Sequence, residues 1–158
     1  MSAVPPAAGE AQPAFQIERI YVKDISLEIP NAPQVYLESH APQVEVQIHN
    51  QGLQFAEGLF EVTVTVTVTA KAGERTVFLA EVAQAGIFSV RGIAKPDLDP
   101  LLGIACPTIL YPYAREAISD LVTRGGFPPV VLAPVSFEAL YAQRQQQLAA
   151  APGAGSAN

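Results

Sequence analysis

Tryptophan is absent from this 158-residue sequence, cysteine and methionine occur once each, and histidine occurs twice. With Cys106 as the only thiol, an intrachain disulfide and a cysteine-rich zinc site are both excluded. Charge is scarce too, at 15% of residues, and the nine bases are scattered singly from Arg19 to Arg144. Phosphate contacts need clustered Lys and Arg, so nucleic acid is not an expected partner. Fifteen acids leave a net charge of -6 and a pI near 4.8, a balance that favours basic partners. Long apolar runs are missing as well. The longest nearly apolar stretch, Leu101 to Ala114, is interrupted by Gly103, Pro107 and Pro112 and falls short of the roughly 18 to 20 residues of a membrane span. No base precedes Arg19 and no apolar h-region follows Met1, so the expectation is a cytoplasmic chain without direct membrane insertion.

What is present is apolar side chain, 49% of the residues, enough for one domain with a real core. The ends do not share it. Residues 1–14 and 149–158 are rich in Ala, Pro, Gly and Ser and are expected to be disordered tails around a folded span of 15–148. Within that span, Phe60 to Thr69 alternates Val with Thr or Glu in the manner of a half-buried strand. Val44, Val46 and Ile48 alternate likewise, and the link containing Asn50, Gly52 and Gly58 reads as a loose hairpin connection. Lys71 to Glu74 turn the chain into a third strand, Thr76 to Phe88, completing a meander. In the first segment, Phe15 to Ile29, the apolar parity slips twice, which predicts bulges in one long bent strand. Pro30, Pro33 and Pro42 make the following segment an extended crossover.

Residues 92–107 read as an irregular loop, unusually apolar through Leu98, Leu101, Leu102 and Ile104. Helical spacing then links Leu110, Tyr113, Ala114, Ala117, Ile118, Leu121 and Val122. Thr108 is the expected start, Pro112 falls in the first turn, and Gly125 or Gly126 is the stop. Ser136 is placed to cap a second helix carrying Phe137, Leu140 and Tyr141. The fold class is α+β: a four-stranded antiparallel sheet followed by two C-terminal helices.

Catalytic patterns are missing. The glycines around Ser89 lie three residues away on each side, which is wrong for a nucleophile elbow. His40 and His49 have no matching acid or thiol pattern, and Asp97 and Asp99 lack the further oxygen ligands of a calcium loop. Cys106 has no neighbouring base and reads as a small buried hydrophobe. No glycine loop for a nucleotide occurs. The reading is a non-enzyme without metal or cofactor, whose surplus of apolar surface implies association into a closed oligomer.

Several blocks, in order, carry a specific resemblance. They are FQIERIYVKDISLEIPNAP from Phe15 to Pro33, Gly86 to Ser89 with Gly92 and Ile93, CPTILYPYARE from Cys106 to Glu116, RGGFP from Arg124 to Pro128, and LAPVSFEAL from Leu132 to Leu140. With them the chain resembles the SecB family of bacterial protein-export chaperones over nearly all of 15–148. The resemblance implies a homotetramer, a dimer of dimers whose long helices pack between two sheets. It implies an ATP-independent holdase that binds unfolded precursor proteins and delivers them to the SecA ATPase.

The same resemblance implies particular residues. Asp24, Glu28, Leu79 and Glu81 match the patch that engages SecA, whose zinc-bearing tail is basic. Ala80, Val82 and Gln84 match positions affecting assembly, with Ala117 and Leu121 of the first helix beside them, so that Val82→Glu is expected to halve the mass in solution. A client groove is expected among Tyr36, Val44, Ile104, Cys106, Tyr113, Phe137 and Tyr141. Two rivals stand beside this reading: an enzyme acting on an apolar or acyl ligand, and a SecB-like chaperone guarding a toxin-antitoxin pair.

Overall fold

In the computed structural model, which describes residues 12–150, the alternating segments become four long strands: β1 (Ala14–Glu28), β2 (Gln43–Ala56), β3 (Leu59–Ala72) and β4 (Arg75–Arg91). They form one antiparallel sheet in the order β1-β4-β3-β2. The β2-β3-β4 meander is as expected, and the crossover through a short 3-10 turn (Gln34–Leu37) carries the chain from one edge of the sheet to the other.

The two parity slips in β1 have one explanation. The β1–β4 register shifts between Ile17 and Arg19 and again between Val22 and Asp24. Each extra residue resets the alternation, so Phe15, Ile17, Ile20, Val22, Ile25 and Leu27 all share one face, opposite the even-numbered residues Val90 to Ala80 of β4. The remaining residues, Gln16, Arg19, Tyr21, Asp24, Ser26 and Glu28, share the other face.

The expected loose connection between β2 and β3 is overturned. β2 continues through Asn50 and Gly52 to Ala56, and the turn is only Glu57 and Gly58, closed by the glycine's positive φ of 68°. A strand containing Asn and Gly is weak in propensity, but its Val partners on β3 hold it in register.

The apolar segment expected to be an irregular loop is helical. It contains α1 (Lys95–Pro100) and a π turn (Leu101–Ala105) that runs directly into α2 (Cys106–Arg124). Pro96 sits in the first turn of α1, where its missing N–H costs nothing, and the wider π turn follows Pro100 directly. Thr108 therefore caps nothing; its hydroxyl donates to the Ile104 carbonyl at 2.6 Å. Pro112 lies inside α2 and not in its first turn. The expected stop holds: Gly125 takes the C-cap, and Gly126 has φ 83°. The last helix, α3 (Phe137–Ala150), starts where expected, with the Ala139 N–H donating to Ser136 Oγ at 3.2 Å. It includes Ala149 and Ala150, assigned above to the tail; the rest of both expected tails lies outside the described residues, apart from Gln12, Pro13 and Ala14, the last already in β1.

The core lies between α2 and the even face of β3 and β4. Val62, Val64, Val66 and Val68 are fully buried there against Leu110, Ala114, Ile118 and Val122. Each such aliphatic side chain contributes about 1.5–3 kcal/mol of burial. A Cβ at Gly86 would lie 2.9 Å from Phe88 and 3.0 Å from Leu110, so the glycine sets how closely the helix approaches the sheet.

Candidate functional site

Two surfaces gather most of the predicted site residues: the sheet face turned away from the helices, and a trough beside α2. On the open face the register arranges side chains in rows across β2, β3, β4 and β1. One row is Glu45, Thr69, Leu79 and Glu28; the next is Gln47, Thr67, Glu81 and Ser26; then come His49, Thr65, Ala83 and Asp24. Asp24, Glu28, Leu79 and Glu81, predicted as one patch, thus share one face and three adjacent rows. Ser26, Glu28, Thr67, Leu79 and Glu81 border a shallow depression of about 240 Å³, and the Thr67 hydroxyl donates to Glu81 Oε2 at 2.8 Å.

The next two rows hold a group that sequence reasoning missed. Tyr21 faces Ala85, and its hydroxyl donates to Glu61 on β3, passing over β4. Lys23 Nζ lies 2.7 Å from the other carboxylate oxygen of Glu61. The hydrogen bonds from Lys23 and Tyr21 hold the Glu61 carboxyl below its ordinary value, while burial and Glu61 push Tyr21 up to about 12. At neutral pH these shifts keep Glu61 ionised and Tyr21 neutral. The group's partners are 38 and 40 residues apart, and the only sign in the sequence is a glutamate within the Val/Thr alternation.

On the helix side, α2 rests on β3 and β4 and leaves edge strand β2 nearly bare. Val44, 45% exposed, and Val46, 40% exposed, form an apolar floor that Ile48 continues. Val44 is opposite Ala70, which is opposite Phe78. Phe78 packs on Phe127 at 5.1 Å, and Tyr36 stacks on Phe127 at 5.3 Å while its hydroxyl donates to the Gly125 carbonyl at 2.7 Å. Tyr36 and Val44 therefore mark the end of the trough at the C-terminus of α2.

The other end is a cavity of about 340 Å³ between β2, the π turn and α3, bordered by Asn50, Leu102, Gly103, Leu140 and Tyr141. Tyr141 pins α3 there: its hydroxyl donates to Asp99 Oδ2 at 2.6 Å, and a Cβ on Gly103 would lie 2.8 Å from its ring. Ile104 belongs to this end. Along the floor the ends are marked by Val44 and Asn50 of β2, about 20 Å apart at 3.3 Å per residue of strand.

The predicted groove residues thus divide. Tyr36 and Val44 lie at one end, Ile104 and Tyr141 at the other, and Tyr113 is half-exposed on α2. Cys106 and Phe137 are core residues and present no surface to a ligand. Phe137 meets Tyr111 edge-on at 5.8 Å, and burial pushes the Cys106 thiol up to about 12. The residues predicted at an oligomer interface are also placed inward. Ala80, Val82 and Gln84 are buried within one chain, opposite Val68, Val66 and Val64, and Gln84 Nε2 donates to the Tyr21 carbonyl beside the second bulge at 3.1 Å. Ala117 is almost buried and Leu121 partly so.

Among the described residues, no group of three or more His, Cys, Asp or Glu is placed to hold a metal. No described helix is long and apolar enough to cross a membrane.

Residues 8–148 match the family described as preprotein translocase subunit SecB. A protein-export protein SecB of Chromobacterium violaceum is 63% identical over 145 residues, 92% of this chain and 97% of its own. One from Methylobacillus flagellatus is 60% identical over 148 residues, 94% of each chain. Among solved structures, a Mycobacterium tuberculosis SecB-like chaperone in complex with an antitoxin peptide has the same fold, with a TM-score of 0.64 at 19% identity, covering 77% of this chain and 90% of that one.

Proposed function

The chain belongs to the SecB family of protein-export chaperones, and from that premise we propose that it holds unfolded precursor proteins in the cytoplasm, without nucleotide, and passes them to the SecA ATPase. The observation that carries the client-binding half is the bare floor of β2. An extended chain lying over Val44, Val46 and Ile48 covers apolar surface that α2 leaves open, with aromatic side chains at one end and a cavity at the other. Such a trough selects apolar, extended chain without requiring one sequence. The SecA half rests on the open face, where Glu28 shares a row with Leu79, Glu81 lies in the next row and Asp24 in the one beyond, a set that attracts a basic partner.

A homotetramer, built as a dimer of dimers, fits the apolar side of edge strand β1, where Phe15, Ile17, Val22 and Ile25 remain more than one-third exposed. The test of function is light scattering as an unfolded secretory precursor is diluted from denaturant, with no nucleotide present. Suppression of aggregation at stoichiometric protein supports the holdase. No suppression by folded protein overturns it. Asp24→Ala with Glu81→Ala is expected to weaken SecA binding and spare suppression; equal loss of both overturns the division of labour between the two faces.

A further inference from the structure

The open face carries both signs of charge, yet the cations do not cancel the acidic rows. Lys23 directly precedes Asp24 in the chain, at the second bulge of β1, and its flexible four-carbon stem lets its ammonium reach more than one carboxylate. It lies instead 2.7 Å from Glu61, two strands away, or about 10 Å of sheet. Small residues clear the path: Ala83 and Ala85 occupy the open face of β4 between the partners, and Ala85 is fully buried although it belongs to that face. Tyr21 holds the far oxygen of Glu61, so the carboxylate is fixed from both sides and only 15% of its side chain is exposed. Among the described residues, no ion pair forms at Asp24, Glu28, Glu45 or Glu81.

We propose that Glu61 is a positioning residue for docking of the basic partner: it draws the Lys23 ammonium across β4 and away from Asp24, so that the acidic rows meet the partner uncompensated. The inference rests on the reading of the open face as the SecA surface and adds a residue outside that patch. Without Glu61, the ammonium falls back over Asp24 and repels the incoming basic segment. A like charge at a docking rim acts mainly on association rate and on salt dependence.

The experiment is a double-mutant cycle read as the affinity of purified SecA for the full-length chain at low and high salt. Glu61→Gln keeps the volume and an acceptor for Tyr21, and it is expected to weaken binding about fivefold at low salt, a loss that shrinks as salt is added. Lys23→Met alone is expected to bind as well as the parent or better. In the Lys23→Met background, Glu61→Gln is expected to cost less than about twofold, because no cation remains to be released. The same factor in both backgrounds means that only net charge is being counted, and it overturns the proposal. No effect in either background overturns it as well. Tyr21→Phe, which changes no charge, gives a second route to the same release and is expected to produce a smaller, salt-sensitive loss that also vanishes with Lys23→Met. Suppression of precursor aggregation stays unchanged in every variant. Should Asp24→Ala with Glu81→Ala leave SecA binding intact, the docking reading itself fails, and the proposal with it; the cycle alone failing leaves that reading standing.

Discussion

Helices α2 and α3 are separated by one short extended segment, and they are attached to the molecule in different ways. The longer helix buries Leu110, Ala114, Ile118 and Val122 against a sheet face of valines. The shorter one buries Phe137 alone and meets the rest of the chain chiefly at the π turn, through Tyr141. The first attachment is spread over many small contacts and cannot open without unfolding the domain. The second is concentrated in two side chains and can open locally at small cost. A chaperone that must both persist and admit clients has use for each kind.

Changes under α2 are expected to have the largest effect. Val82→Glu places a carboxylate in a fully buried site facing α2, and the expected result is loss of cooperative folding by circular dichroism. This differs from the halved mass that family position alone suggests; a folded species of half the mass in sedimentation would show that α2 tolerates the charge. Leu110→Ala is expected to cost about 2–5 kcal/mol in urea unfolding, because the site is filled on all sides. A loss below about 1 kcal/mol would mean that the seat of α2 collapses around the cavity.

Changes at α3 should behave in the opposite way. Gly103→Ala drives a methyl group into the Tyr141 ring, yet global stability is expected to move by only about 0.5 kcal/mol. The signature is new protease cleavage within α3. Unfolding at a much lower urea concentration would erase the contrast between the helices. The smallest effect is one of pH. The hydrogen bond to Asp99 is the main cause raising the Tyr141 hydroxyl above its ordinary value of 10.0. A folded value above the unfolded one means that the contribution is fully present below pH 10 and is lost as pH rises through the raised value. Cleavage of α3 should therefore increase only in strongly alkaline buffer. Tyr141→Phe should show the increased cleavage at neutral pH and no such alkaline step.

The strands were largely legible because period-two alternation is a direct print of a half-buried sheet. Even the slips in β1 were informative, since each marked a bulge at Glu18 or Lys23. The helical character of the stretch before α2 is hidden by Pro96, Pro100 and Gly103, which taken by sequence alone are breakers. In the folded chain, Pro96 falls in a first turn, while Gly103 lies in the π turn because it must pass under Tyr141. That Asp24, Glu28, Leu79 and Glu81 share one face of the sheet was legible from strand parity once the family resemblance selected them. Which aromatic stays at the surface was not: Phe137 and Tyr141 are one helical turn apart, and only packing makes the first a core residue. The Tyr21–Glu61–Lys23 group depends on the fourth strand lying between the first and third, an order that local pattern does not contain.

On the proposed reading of the trough, its length also acts as a clock. An extended chain rises about 3.3 Å per residue, so about six or seven residues, as in the Val44 to Asn50 stretch of β2, bridge its ends. A client segment of that length, held as proposed, has two anchorages, and when one lets go the other keeps it near enough to rebind. A shorter exposed segment has one anchorage and leaves at its first release. Residence time is then set by how much unstructured chain a client still has, and folding ends the engagement by shortening what is left to hold.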